Sequence, residues 1–387
     1  MKCEIVRELD SLERVLRQKG RLNCAVLQGL DLRKAKIDWP SIECDGAIFL
    51  GCQFPDEVTV TELWGKGAMI FPAFNDLPYN PYRPQLYTRA ELMAGWTPDF
   101  DGSVDKQIYD HFVKHGRKDP DVVEALAERL HDHAIDDALS DLLEGRVEGD
   151  GRKKVVAIMG GHGTSRADPF FHKVAHLARR LTEAGYYIAT GGGPGMMEAG
   201  NLGAHLAGQS ALELDEVLLS LEKAPFFVSE GYVEAANAVL KKYPRGHSSL
   251  AVPTWFYGHE PTNVFAAHIA KYFSNSIRED GLLAIAEHGV IFSPGSAGTT
   301  QEIFQDATQN HYATFGHVTP MVFLGKQRYA EETQIFSCLS DLARSRDYAD
   351  MLLLSDEVHE IMEFINKNPP RASLGGVKTP LVESRGQ

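Results

Sequence analysis

The sequence predicts an α/β protein built on a parallel sheet, with an additional N-terminal α+β domain. From residue 154 onward, short apolar runs alternate with segments of helical apolar spacing, which is typical of parallel strands joined by helices. Three of the predicted strands end in glycine-rich loops, at residues 160–163, 191–195 and 295–298. Ligands of open α/β sheets bind at the carboxyl ends of the strands, so these loops predict a binding site there.

The N-terminal region combines short strands with one long helix. Apolar runs predict three strands, at residues 25–27, 46–50 and 68–71. The apolar spacing of residues 121–145 predicts a helix, and glycines close to residue 150 mark a linker. We therefore expect an accessory domain over residues 1–150, a catalytic or binding domain over 151–370 and a C-terminal tail over 371–387.

In the second domain, predicted strands alternate regularly with predicted helices. Strands are predicted at residues 155–159, 186–190, 248–252, 289–292 and 321–324. Helices are predicted over residues 169–184, from 195, over 263–280 and over 299–311. A last strand and helix are expected within residues 351–366.

Composition excludes several classes of function. The net charge of −14 argues against binding to nucleic acid, which is held mainly by clustered Lys and Arg. No apolar run is long enough to span a bilayer, and the first residues lack the apolar region of a signal peptide, so we expect a cytoplasmic protein. The five cysteines have no C-x-x-C spacing, which indicates neither a disulfide framework nor a zinc site.

A cluster of histidines and acids within the predicted helix 121–145 raises the question of a metal. His133 and Asp137 are four residues apart and share a helix face. No second pair of ligands accompanies them in the sequence, and charged residues on a helix usually form a solvated face. We expect no metal.

The glycine loops do not match the common nucleotide motifs. Neither the dinucleotide fingerprint G-x-G-x-x-G nor the P-loop G-x-x-x-x-G-K-[ST] fits the chain. A glycine cluster after a strand also serves tight turns and close packing. Three such loops at strand ends nevertheless favour an anion site, since small residues let backbone N–H groups approach a phosphate at a helix N-terminus.

Two of these segments resemble the signatures of the LOG family, GGGPGMMEA at residues 191–199 and PGSAGTTQE at residues 294–302. The family consists of Rossmann-like phosphoribohydrolases that cleave nucleoside 5′-monophosphates to free base and ribose 5-phosphate. The resemblance covers residues 154–366 and is better with the larger, multidomain branch. It implies a doubly wound sheet, a homo-oligomer built on a dimer and no cofactor. The implied substrate-binding residues are Gly192, Gly193, Gly195, Met197, Gly295, Ser296, Gly298 and Thr299.

The resemblance assigns the catalytic carboxylate to Glu302. Cleavage of a ribosyl C–N bond develops positive charge on the sugar, which a nearby carboxylate stabilises. An alternative is that Glu302 only caps its helix, because Thr299-x-x-Glu302 is a capping-box pattern.

The resemblance also assigns a catalytic role to Arg278, on the helix before the second signature. Its cation could orient Glu302, contact the substrate or assist the departing base. The alternative is a surface ion pair with a nearby acidic residue. Two departures from the family pattern, Glu279 and Ser296, leave the preferred base open.

The segment of residues 253–263 is rich in aromatic and polar side chains. Trp255, Phe256 and Tyr257 could form a base-stacking wall or pack an interface. Asn263 could cap the next helix, and His259 is not assigned to catalysis.

The sequence therefore predicts a hydrolase acting on purine or pyrimidine nucleoside 5′-monophosphates. The alternatives are a cytokinin riboside 5′-monophosphate phosphoribohydrolase and a non-catalytic nucleotide-binding or carrier protein. Amino-acid decarboxylation is disfavoured, since no lysine lies in the glycine loops and Lys271 is expected on the helix before Arg278.

Overall fold

The computed structural model describes residues 4–74 and 76–373. The α-helices are α1 Leu9–Lys19, α2 Val60–Gly65, α3 Arg89–Leu92, α4 Val104–Lys114, α5 Val122–Leu143, α6 Pro169–Glu183, α7 Met196–His205, α8 Ala211–Leu221, α9 Tyr232–Lys242, α10 Asn275–Ile285, α11 Ala297–Tyr312, α12 Ile335–Ala343 and α13 Val358–Lys367. The strands are β1 Glu4–Val6, β2 Ala25–Gln28, β3 Ile48–Leu50, β4 Met69–Phe71, β5 Trp96–Thr97, β6 Phe100–Asp101, β7 Val155–Met159, β8 Tyr187–Thr190, β9 Leu250–Ala251, β10 His268–Ile269, β11 Val290–Phe292, β12 His317–Val318, β13 Met321–Phe323, β14 Leu352–Leu354 and β15 Arg371–Ala372. None of the helices in the described ranges is long and apolar enough to cross a membrane.

The chain forms two compact units. The first consists of Met1–Leu86 and Asp110–Ser140, and the second of Tyr87–Tyr109 and Asp141–Gln387. Residues 87–109 and 141–150 thus belong to the second unit, whereas the sequence predicted a single domain boundary near residue 150. Of the expected tail, Arg371–Ala372 pairs with β12, and residues 374–387 lie outside the described ranges.

The first unit is built on a four-stranded parallel sheet in the order β1-β2-β3-β4. Its core contains Leu12 of α1, Leu27 and Phe49 of the central strands and Leu63 of α2, all 2% exposed or less. The three N-terminal strands expected from the sequence are present.

The second unit contains a seven-stranded parallel sheet in the order β10-β9-β8-β7-β11-β13-β14. The central strand β7 is buried along its whole length, because helices such as α6 and α7 pack beside it and its residues are apolar on both faces. The chain builds outward from β7 to β10 on one side and from β11 to β14 on the other. This is a Rossmann-like, doubly wound order, so the predicted fold class is confirmed.

One predicted helix is wrong over most of its length. Residues 263–274 form a mostly buried segment that contains strand β10, and helix α10 begins only at Asn275. Asn263 accepts a hydrogen bond from the Phe265 backbone N–H and holds a turn, and most of the residues that follow are buried. A continuous apolar run of this kind does not distinguish a helix from a buried strand by periodicity.

Candidate functional site

A cleft of about 580 Å³ lies at the carboxyl ends of the strands of the larger sheet. It is lined by the loops that follow β7, β8 and β11, together with residues of α10 and α11. Two backbone hydrogen bonds tie the loops together, from Gly161 N–H to the Pro294 carbonyl (3.0 Å) and from Met196 N–H to the Gly161 carbonyl (3.1 Å). Strands β7 and β11 are neighbours whose connections leave in opposite directions, which opens a crevice at this point of the sheet.

The loop after β11 presents a helix N-terminus to the cleft. Helix α11 begins at Ala297, and the preceding Ser296 makes no side-chain capping bond. Ser296, Gly298 and Thr299 line the cleft. Gly295 does not line it; a Cβ there would lie 2.1 Å from Thr299 Oγ1, so the loop packs closely against the start of α11. The uncapped N-terminus offers backbone donors and positive dipole charge to an anion.

The loop after β8 supplies the opposite wall. Gly192, Gly193 and Met197 line the cleft, whereas Gly195 does not. Gly195 has φ +67°, and a Cβ there would lie 2.4 Å from the Gly161 carbonyl oxygen. A glycine at this position allows the close approach of the two loops.

Glu302 lies one helical turn after Gly298, so both residues face the cleft. Its side chain is 15% exposed, and Oε1 is 3.6 Å from Nη1 of Arg278. Burial raises the pKa of Glu302 from 4.5 to about 7; Arg278 opposes this increase, and Glu279 adds to it. The capping box considered as an alternative does not form, because the helix starts at Ala297 and Thr299 is already inside it.

Arg278 reaches the cleft from α10. Its Nη2 donates to Asn275 Oδ1 (2.6 Å), and its buried Nε has no hydrogen-bond partner within the described part of the chain. The 3.6 Å separation from Glu302 is an ion pair rather than a direct hydrogen bond. The guanidinium is buried and retains donor capacity for a ligand, unlike a surface ion pair.

Glu279 is a second acid on the cleft wall. It is 6% exposed and accepts a hydrogen bond from Asn275 Nδ2 (2.9 Å) through Oε2. Its Oε1 has no partner among the described residues. Asn275 also donates to the Tyr257 hydroxyl (3.0 Å), so one amide positions groups on both α10 and the aromatic segment.

The aromatic side chains of residues 253–263 differ in their exposure, and a base-stacking wall was one of two roles considered for them. Trp255 is fully buried, 4.7 Å from the ring of Phe273, and takes no part in a stacking wall. Tyr257 is 65% exposed and lines the cleft. Asn263 lies in a buried network with Asn201 instead of capping a helix, and His259 bonds to Asp101 Oδ2 (2.9 Å).

Sequence reasoning missed a buried ion pair beside the cleft. Lys271 is 4% exposed, lines the cleft and contacts Asp105 Oδ1 at 2.7 Å. It lies before α10, not on a helix. Asp105 also accepts from Trp255 Nε1 (2.7 Å) and the Thr262 hydroxyl (2.8 Å). No local pattern could reveal this group, because Asp105 lies 150 or more residues before its three partners.

Helix α7, which follows the β8 loop, is anchored by a buried charge pair. Arg166 donates to both carboxylate oxygens of Glu198, at 2.9 and 2.5 Å, and stacks 3.5 Å from the ring of Tyr232. Tyr232 donates its hydroxyl to the same carboxylate (2.7 Å). Both charges are at most 4% exposed, and their pairing offsets the cost of removing them from water.

No protein-family model and no curated protein matches the sequence. Among solved structures, the chain is similar to the molybdenum cofactor carrier protein of Chlamydomonas reinhardtii, with 15% identity and a TM-score of 0.36 over 56% of this chain and 98% of that one. It is also similar to the molybdenum cofactor binding protein of Rippkaea orientalis, with 14% identity and a TM-score of 0.36 over 56% and 97%. Similarity at this level identifies neither a family nor a function.

Proposed function

We propose that the protein hydrolyses the N-glycosidic bond of nucleoside 5′-monophosphates, as the LOG-like segments imply. The observation that carries this proposal is the placement of Glu302 and Arg278. A buried carboxylate with a pKa of about 7 lies beside a buried guanidinium, one turn from an uncapped helix N-terminus. The anion-binding loop and the reactive acid thus share one cleft.

The 5′-phosphate would occupy the N-terminus of α11, where Ser296, Gly298 and Thr299 line the cleft. Backbone N–H groups and the helix dipole favour a phosphate at that position. The ribose would then lie toward Glu302, one helical turn further on. Its carboxylate would stabilise the positive charge that grows on the sugar as the C–N bond breaks.

The reaction adds the oxygen of water to C1′, breaks the bond from C1′ to the base nitrogen, and leaves one proton for the base. A carboxyl group with a pKa near 7 accepts and donates a proton efficiently at neutral pH. Arg278 would keep Glu302 oriented and donate to the substrate through its unpartnered Nε.

The competing function is that of a nucleotide carrier without catalysis. The glycine loops would serve either role equally well. A carrier, however, gains nothing from a buried acid next to an anion site, because like charge weakens the binding of phosphate. Glu302 therefore favours the hydrolase.

The test is incubation with AMP, GMP, IMP, CMP, UMP and a prenylated AMP, followed by measurement of ribose 5-phosphate. We expect release from at least one of them, and a loss of about 100-fold or more in Glu302→Gln, since general acid–base groups typically contribute that much. Glu216→Gln, an exposed glutamate on α8, is the matched control and should keep full activity. Calorimetric binding of a nucleotide by the parent without release of any product would instead establish the carrier.

A further inference from the structure

Three side chains of types that bind metal ions lie close together in the first unit. His111 lies in the last turn of α4, His115 directly follows that helix, and Glu124 lies in the first turn of α5. His111 Nε2 is 3.2 Å from both carboxylate oxygens of Glu124. One ligand atom from each of the three side chains lies within 4.8 Å of the others.

The spacing is close to what a zinc ion requires. Zinc binds His nitrogen and carboxylate oxygen at about 2.0–2.2 Å, so tetrahedral ligand atoms are about 3.4 Å apart. The 3.2 Å between His111 Nε2 and the Glu124 carboxylate oxygens is close to this value. The third ligand atom lies within 4.8 Å of the other two, and the imidazole centroids of His111 and His115 are 4.0 Å apart.

The hydrogen bonding of His115 also suits a ligand. Its Nδ1 lies 2.9 Å from the backbone carbonyl oxygen of His111, which can only accept a hydrogen bond. A neutral His115 ring therefore carries its proton on Nδ1 and its lone pair on Nε2. A bond from the non-ligating nitrogen to a carbonyl is the usual arrangement of metal-binding histidines, because it fixes the tautomer and the ring orientation.

The surroundings favour a cation. His111, His115 and Glu124 are all half-buried. Glu128, one turn after Glu124, has a pKa raised to about 7 by burial and by the nearby carboxylates Asp132 and Glu124, against the opposing effect of Arg129. A divalent ion would relieve this concentration of negative charge.

We propose that His111, His115 and Glu124 form a zinc site with water as the fourth ligand. The ion would join the end of α4 to the start of α5 across the turn between them, where Gly116 has φ +104° and Arg117 has φ +47°. Metal binding would then stabilise this helical hairpin. The proposal is independent of the hydrolase, because none of the three residues lines the cleft.

The pair singled out from the sequence does not form such a site. His133 Nε2 is 3.8 Å from Asp137 Oδ2, and His133 is 67% exposed. The described residues provide no third ligand for that pair, whereas they do for His111 and His115. His133 is therefore a suitable control, since it is a histidine on the same hairpin outside the proposed site.

The experiment uses the full chain without a polyhistidine tag, dialysed against a chelator and then titrated with Zn²⁺. The variants are His115→Gln, Glu124→Gln and the control His133→Gln. We expect one Zn²⁺ per parent chain, a dissociation constant raised at least about 10-fold in each of the first two variants, and no change in the control. Excess Mg²⁺ should not compete, because it prefers oxygen ligands.

A second readout uses Co²⁺ in place of zinc. Parent protein should show visible absorption of four-coordinate Co²⁺ without a thiolate charge-transfer band, and circular dichroism should show that each variant remains folded. Equal affinity in parent and both ligand variants would overturn the proposal. So would a thiolate band, which would place the ion on cysteine, or the absence of binding at micromolar Zn²⁺.

Discussion

Replacing Glu302 by glutamine removes a buried negative charge while keeping the size of the side chain. The parent carboxyl group is 15% exposed, and burial raises its pKa from 4.5 to about 7. Such a group favours its protonated form in the folded protein, so the ionised form weakens folding. The glutamine variant lacks this cost, and we expect it to be inactive but more stable than the parent at high pH.

The size of the effect follows from the two pKa values. Each unit of pKa corresponds to about 1.4 kcal/mol, so a rise from 4.5 to about 7 amounts to about 3 kcal/mol. Below pH 4.5 the Glu302 carboxyl group is protonated in both folded and unfolded chains and does not change the free energy of unfolding. Between pH 4.5 and 7 the unfolded chain ionises first, and the parent progressively loses stability. Above pH 7 the ionised Glu302 lowers the stability of the parent by the full amount.

The measurement is urea unfolding of parent and Glu302→Gln at pH 4.5, 6 and 8.5. The difference in free energy of unfolding should grow by about 3 kcal/mol across this range in favour of the variant. Glu216→Gln should show no comparable trend. A difference that stays constant with pH would refute the assignment of a buried, high-pKa carboxyl group to Glu302. The rate of the parent should also fall as pH drops below about 7, because the carboxylate becomes protonated.

Three further substitutions test other parts of the site. Arg278→Lys keeps the charge but loses the planar donor set, and initial-rate measurements should show about a 10-fold or greater loss; an unchanged rate would contradict its role. Gly195→Ala should lower the free energy of unfolding by about 1–3 kcal/mol because of its positive φ and loop contact, whereas Gly163→Ala, with open space around it, should not. Arg166→Leu leaves Glu198 buried without its partner, so chemical denaturation should show a loss of about 3–5 kcal/mol, and a loss below 1 kcal/mol would refute the buried pair.

The parallel sheet and its loops could be predicted because both depend on local patterns. Strands buried on both faces are continuous apolar runs, and residues 155–159 show this directly. Glycine clusters then mark the loops at which the chain turns into the next helix. The neighbouring positions of Gly298 and Glu302 also follow from helical spacing alone.

Other parts of the site depend on contacts that the sequence does not show. The ion pair of Lys271 with Asp105 joins segments 166 residues apart, and His111 meets Glu124 only because the chain folds back between two helices. The helix expected over residues 263–280 is absent before Asn275 for a related reason. Its apolar residues are buried by tertiary packing around β10, and a short buried run has no periodicity that separates strand from helix.

The position of Glu302 near the uncapped end of α11 has a consequence for ligand binding. An arriving phosphate dianion would raise the pKa of this carboxyl group further, because like charges disfavour ionisation. Binding near neutral pH would then take up part of a proton from solution, and affinity for phosphorylated ligands would weaken as pH rises from 6 to 8. The heat of binding should accordingly differ between buffers with different ionisation enthalpies, as expected where a ligand and a proton bind together.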